Sequence, residues 1–228
     1  MPHSLPKPLV LAIDGPAASG KGTLARKLAA HYGLPHLDTG LIYRATARAL
    51  MDADMPLDHA GLAVKAAAAL DVSQLDENRL RGREMGEAAS IVAAIAPVRL
   101  ALLDVQRGFA KGQHGAVLDG RDIGTVICPD ADVKLYVTAS PEVRAARRHK
   151  ELGMRGEDIS YDTVLADIRR RDARDSGRAD APLAIAEDAV VLDSSALGIE
   201  ESLQAAITII DAVLSRKNKN PAKKQKSC

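Results

Sequence analysis

Residues 15–23 read Gly15, Pro16, Ala17, Ala18, Ser19, Gly20, Lys21, Gly22, Thr23, a spacing of glycines around one lysine that suits the binding of a phosphate chain. N–H groups of a glycine-rich turn and of a helix N-terminus can converge on one anion, and the helix dipole adds positive charge there. Lys21 can reach the β- and γ-phosphates as a compact charge; the usual motif places its Mg²⁺-binding Ser or Thr directly after the lysine, whereas here Gly22 intervenes and the hydroxyl is on Thr23. The flanks give the match its weight. An apolar run, Leu9 to Ile13, reads as a strand, and Leu24, Ala25, Leu28, Ala29 and Tyr32 recur at helical spacing. Without such flanks a glycine-rich turn is only a connection.

Other stretches carry charge where a polyphosphate ligand would want it. Asp38, Thr39 and Arg44 fall at the start of a second helix, where Arg44 could fork a second phosphate. Alone, an arginine in that position is more often a solvated surface residue. Asp119 ends the buried-strand pattern Ala116 to Leu118, where such an acid assists Mg²⁺ binding in phosphate-loop proteins. Gly120, Arg121 and Asp122 crowd the junction that follows, and parallel sheets place ligands at the carboxyl ends of their strands. Arginines then accumulate at 144, 147, 148, 155, 169, 170, 171, 174 and 178, interleaved with Asp167, Asp172 and Asp175. A basic helix face could be merely solvated or could bind nucleic acid. Interleaved acids instead favour a clamp on a small polyphosphate, and Arg171 and Asp175 are one helical turn apart.

The elements that must position these groups alternate as an α/β chain does. Strands are expected at 8–14, 36–38, 116–118, 133–137 and 189–192. Helices are expected from the phosphate loop to near Gly33, from Thr39, over 58–70 with Asp58 as N-cap, over 87–95, from Pro97, from Ser140 and Pro141, and over 199–214. Val98, Leu102, Val105 and Phe109 mark the buried stripe expected of the helix after Pro97, with Ser90 and Arg99 away from the core. The stretch 71–86 is polar and irregular and reads as a surface excursion. At 228 residues the chain can form one domain with a sizeable core. With no Trp and one Phe that core is aliphatic, and aromatic platforms for single-stranded nucleic acid are not expected. Residues 216–228 hold six basic residues and no acid, so the body of the chain is net acidic and the tail is expected to be disordered. Two cysteines, Cys128 and Cys228, suit a reducing compartment; no signal peptide or membrane span is apparent, and the protein is expected in the cytoplasm.

Taken together these stretches resemble a known family. The G-K-G-T ending of the loop looks like that of nucleoside monophosphate kinases. GPAASGKGT, LDTGLIYR, ALDVS, EAASIVA with VR beyond it, DGRDIGTVICPDADVKLYV, IRRRDARDSGRADAPL and VVLDSS follow one another over nearly all of 9–210. They resemble bacterial cytidylate kinases, and DGRDIGTV and RDARDSGR are the specific part, because other monophosphate kinases lack them. The resemblance implies a phosphate-loop NTPase-type α/β fold, a five-stranded parallel sheet of order 2-3-1-4-5 with helices on both faces. It implies one domain over 8–215, with a monophosphate-binding insert at about 55–95 and a helical lid at about 141–178. It further implies ATP, with Mg²⁺, as donor and CMP or dCMP as acceptor, in pyrimidine nucleotide metabolism. Residues Gly15 to Thr23 would hold ATP phosphates, with Lys21 and the lid arginines Arg144, Arg147 and Arg148 acting on the transferring group. Arg44, Arg121 and Arg178, with Asp38 and Thr39 beside them, would hold the acceptor phosphate. Arg171 and Asp175 would hold its ribose, and Ser90, Arg99 and Asp122 would read the cytosine. Asp119 and Thr23 would bear on the metal. The chain departs from the family between 71 and 90, where a longer insert with a small sheet is normal; at most a strand fragment near 79–83 is expected here, with weaker coupling between acceptor binding and closure.

The expected partners are small molecules only, with no nucleic acid or membrane, and the protein is expected to act as a monomer. Two other readings stand beside this one. A shikimate- or gluconate-type kinase has a hydroxyl acceptor that needs a base, for which Asp38 could serve. A nucleotide-dependent switch would need a guanine-reading N-K-x-D element, and Asn218-Lys219-Asn220-Pro221 lacks the acid.

Overall fold

The computed structural model describes residues 8–72 and 75–219. Five parallel strands, β1 (Leu9–Asp14), β2 (His36–Asp38), β3 (Gly115–Gly120), β4 (Val133–Thr138) and β5 (Val190–Asp193), form one sheet of order 2-3-1-4-5. The register aligns the carboxyl ends: Ile13 lies beside Asp119, Asp119 beside Asp38, and Asp14 beside Gly120. Three acids and the residues that follow them are thereby brought to one edge of the sheet. The central strands β1 and β3 are apolar along nearly their whole length, as strands covered on both faces must be.

One face is covered by α1 (Lys21–Tyr32) and α8 (Ile199–Lys219), through Leu24, Leu28, Ala206 and Ile210 against Leu11, Ile13 and Leu135. The other carries α2 (Thr39–Asp52), α3 (Ala60–Ala68), α4 (Arg83–Val92) and α5 (Ala96–Ala110), packed through Ile42, Leu50, Val92 and Leu102 onto Leu118. Helices α6 (Pro141–Met154) and α7 (Tyr161–Ser176) form a small unit of their own around Ala145, Leu152, Val164 and Ile168, touching the sheet domain at Ala17. No single helix among the described residues is long and apolar enough to cross a membrane.

Several boundaries differ from expectation for local reasons. Helix α3 is capped not by Asp58 but by the His59 ring, whose Nδ1 accepts from Leu62 N–H at 3.3 Å. Helix α4 starts at Arg83, four residues before Glu87, because Gly82 supplies the entry. In α5 Val105 is 43% exposed, and the buried face runs through Val98, Arg99, Leu102, Gln106 and Ala110. Arg99 is buried because a carboxylate meets it there. No strand forms at 79–83; residues 77–80 make a turn instead. Helix α8 continues to Lys219, past the expected domain end at 215, and Lys217 Nζ donates to the Asp132 carbonyl at 2.7 Å. The remainder of the basic tail lies outside the described residues.

Candidate active site

The loop at 15–20 turns between β1 and α1, and its shape depends on glycine. Gly15 has φ +154°, and a Cβ there would stand 2.0 Å from the Val137 carbonyl oxygen of β4. Gly20, at φ +86°, precedes α1, whose first turn has neither a side-chain cap nor an acid. The helix therefore presents its free N–H groups outward. Carbonyls of the loop are held from behind. Arg144 Nη1 donates to Ala17 O at 3.3 Å, Ser194 Oγ to Ser19 O at 3.1 Å, and Arg147 Nη1 to Ser19 O at 3.5 Å.

In front of the loop lies a cavity of about 260 Å³, walled by the loop, α2, α4, the end of β3 and helices α6 and α7. Of the expected residues, Ala17, Ala18, Gly20, Lys21, Gly22, Thr23, Asp38, Thr39, Arg44, Ser90, Arg99, Asp119, Arg121, Asp122, Arg148, Arg171, Asp175 and Arg178 all line it. Arg44 is thus no surface residue. Lys21 is enclosed: burial, joined by Arg121, brings its ammonium down to about 7 against the opposing pull of Asp119 and Asp38.

Asp175 organises the cationic wall. Arg121 Nε donates to it at 2.8 Å, Arg178 Nη2 pairs with it at 2.9 Å, and Arg171 Nε lies at 3.8 Å. Burial alone would raise its carboxyl, but Arg121, Arg171 and Arg178 reverse that and hold it at about 2. Burial and the adjacent Arg121 lower Arg171 to about 9. Arg121, Arg171 and Arg178 converge on Asp175, while Arg44 has Asp38 as its neighbouring acid. Among the described residues, buried Nε atoms of Arg44 and Arg171 find no hydrogen-bond acceptor. Unpaired buried donors of this kind are costly and call for an anion.

The far end is neutral to acidic. Asp122 is paired with Arg99, whose guanidinium also lies 5.7 Å from the Tyr43 ring centre. Ser90 is 3% exposed, and its Oγ finds no partner among the described residues. Asp122 is fixed by a π-helical turn, Ile123–Ile127, whose two ends are both held. At the front, Asp14 accepts from Ile123 N–H at 2.8 Å and Gly124 N–H at 2.7 Å. At the back, Arg107 donates to Val126 O at 3.0 Å and Ile127 O at 3.2 Å. Asp14 is raised by burial to about 6, against the pull of those two N–H groups. Sequence reasoning missed Asp14, Arg107 and Ser194. The available signal for Asp14 was an acid ending an otherwise apolar strand just before the loop.

Near the loop, Asp119 divides its oxygens. Oδ1 meets His36 Nε2 at 2.7 Å, while Oδ2 faces Gly22, where an added Cβ would lie 3.6 Å away. Asp38 caps α2 by accepting from Gly40 N–H at 2.9 Å, and Thr39 Oγ1 donates to Asp119 O at 2.8 Å. Burial and Asp119 raise Asp38.

Two expected catalytic residues do not line the cavity. Arg144, 3% exposed, is bidentate to Asp172 at 2.9 and 2.7 Å and also donates to Ala139 O at 2.8 Å. Arg147 donates to Ser194 Oγ at 3.0 Å and Ser194 O at 2.6 Å. Both tie the 15–20 loop to α6; of the three, Arg148 alone reaches the cavity. Gly15, Pro16 and Ser19 do not line it either. In compensation Arg26, Arg81 and Arg83 line the cavity, although none was expected to.

A sequence model of the family described as "Cytidylate kinase" matches residues 11–212. The chain is 64% identical to a cytidylate kinase of Xanthobacter autotrophicus, over 90% of this chain and 98% of that one. It is 61% identical to one of Methylocella silvestris (90% and 94% covered) and 58% identical to one of Rhizobium meliloti (91% and 98%). Among solved structures it resembles an uncharacterized protein of Eubacterium ventriosum, with TM-score 0.54 and 14% identity over 90% of this chain and 99% of that one. A gluconokinase of Sinorhizobium meliloti gives TM-score 0.53 and 13% identity over 93% and 97%. At those identities only the fold is shared.

Proposed function

The chain belongs to the cytidylate kinase family, and on that premise we propose that its cavity seats ATP phosphates on the loop at 15–23 and CMP between α2, α4 and the π-helical turn. The enzyme transfers the γ-phosphate of ATP to CMP. The observation that carries the seating is that Lys21, Arg44, Arg121, Arg171 and Arg178 line the same cavity as Ser90, Arg99 and Asp122.

The chemistry asks little of the protein beyond position and charge. The attacking oxygen belongs to a monophosphate whose second ionisation lies near 6, so it needs no base at neutral pH. Arg44, Arg121 and Arg178 fix that phosphate, and Lys21 and Arg148 meet the charge that develops on the transferring group. Asp122 can accept from the exocyclic amine of cytosine, where uracil presents a carbonyl, and the unpaired Ser90 hydroxyl is free to join it. Asp175 and Arg171 bear on the ribose.

The donor set near the loop is a carboxylate oxygen of Asp119 and the Thr23 hydroxyl, both hard oxygens of the kind Mg²⁺ takes alongside water and phosphate. Those two residues would hold it, and the ion would neutralise charge on the β- and γ-phosphates.

Initial rates with ATP and Mg²⁺ over a panel of acceptors test this. CMP and dCMP should be used with kcat/KM well above UMP, AMP, shikimate or gluconate. A preference for any of the last four would overturn the proposed acceptor site.

A further inference from the structure

The segment 80–82, which links the turn at 77–80 to α4, does not lie idle on the surface. Leu80 is 4% exposed and packs with Leu41 and Ala45 of α2, which anchors the turn beside the cavity. Its carbonyl accepts from Arg44 Nη1 at 3.3 Å, and the carbonyl of Gly82 accepts from Arg148 Nη2 at 2.7 Å. Gly82 has φ +113°, a conformation that other residues rarely adopt, so the shape of the turn rests on it. Arg81 stands between these two carbonyls and lines the cavity, its guanidinium held by Glu77, whose side chain is 50% exposed.

Three guanidiniums, those of Arg44, Arg81 and Arg148, therefore share one stretch of wall with Asp38 and Glu151. Two of the three are engaged by backbone carbonyls and the third by a solvent-facing acid, while the buried Nε of Arg44 has no acceptor among the described residues. An exposed ion pair contributes little, whereas guanidiniums around a phosphate make short, charge-assisted and often bidentate bonds. The exchange of Glu77 for a ligand phosphate is thus downhill for Arg81.

We propose that Arg81 is a further acceptor-phosphate residue, leaving Glu77 to grip the monophosphate together with Arg44. The proposal rests on the reading of CMP as acceptor.

Binding calorimetry on the full chain, with CMP and with cytidine as probes, tests it on R81Q, R81K and E77Q. R81Q should weaken CMP about tenfold (about 1.4 kcal/mol), with cytidine affinity, ATP KM and Tm unchanged. R81K should recover part of the loss, and E77Q should bind CMP at least as tightly as the unaltered protein. CMP affinity unchanged in R81Q would overturn the proposal. So would an equal loss of CMP and cytidine, or a matching loss in R81Q and E77Q, since either would mean that the ion pair merely shapes the turn. Failure of the unaltered protein to bind CMP would overturn the acceptor reading itself, and that arm is read separately.

Discussion

At the scale of single residues, Lys21 makes the sharpest forecast. Free Lys21 sits near 7 because burial and Arg121 disfavour its charge. At pH 8 it is mostly neutral, and a bound polyphosphate restores the charge. ATP binding at pH 8 should therefore take up close to one proton, and less at pH 6, where Lys21 is already protonated. Calorimetry in two buffers of different ionisation enthalpy reads this directly, and Lys21→Ala should abolish the difference. The same variant should lose at least about a hundredfold in kcat, on the order of 3 kcal/mol for a lost transition-state contact, with CMP affinity nearly unchanged. Asp122→Asn should narrow the ratio of kcat/KM for CMP over UMP, because an amide can donate to the uracil carbonyl; an unmoved ratio would separate Asp122 from base reading. The identities of these residues were legible in the sequence, since loop and strand-end motifs fix where they fall. The direction of lid arginines was not. Positions 144, 147 and 148 share one side of α6, and only tertiary partners, Asp172 for one and Ser194 for another, decide which is left for the cavity.

At the scale of elements, this difference can be measured. Arg144 is 4% exposed at its side chain and Asp172 26%. Breaking a buried pair by removing one partner costs about 3–5 kcal/mol, and the partial exposure of Asp172 places this case toward the lower end. Arg144→Met should lower Tm by roughly 2–4 °C per kcal/mol for a chain of this size. An unchanged Tm with a collapse of kcat would instead return Arg144 to the transferring phosphate. Most strands were legible because they are short, largely apolar runs ending in an acid or a turn, β2 (His-Leu-Asp) being the exception, and helices because their apolar residues recur at helical spacing. The pattern failed between 71 and 86. There few apolar residues exist to carry a period, and the decisive contacts, Leu80 with α2 and Gly82 with Arg148, join segments far apart in sequence. It failed again in α5, where a charged residue occupies a core-facing position because Asp122 waits for it.

For the whole molecule, the sheet order follows from the resemblance and from right-handed crossovers between parallel strands, and the site follows from the sheet, since the acids ending β2 and β3, Asp38 and Asp119, both line the cavity. The C-terminal boundary tests where the fold stops. Ending the chain at Lys219 should leave Tm and activity within error, because the last fully buried side chain of α8 is Ile210 and Lys217 keeps its bond to Asp132. Ending it at 215 removes that bond and the last helical turn. The central claim is that the acceptor is an ionised phosphate gripped by arginines, with no base required. Phosphorus NMR of ATP and Mg²⁺ with either CMP or cytidine tests it most directly. The account predicts equimolar CDP and ADP from CMP and no phosphorylated product from cytidine; phosphorylation of cytidine, or no CDP from CMP, would contradict it.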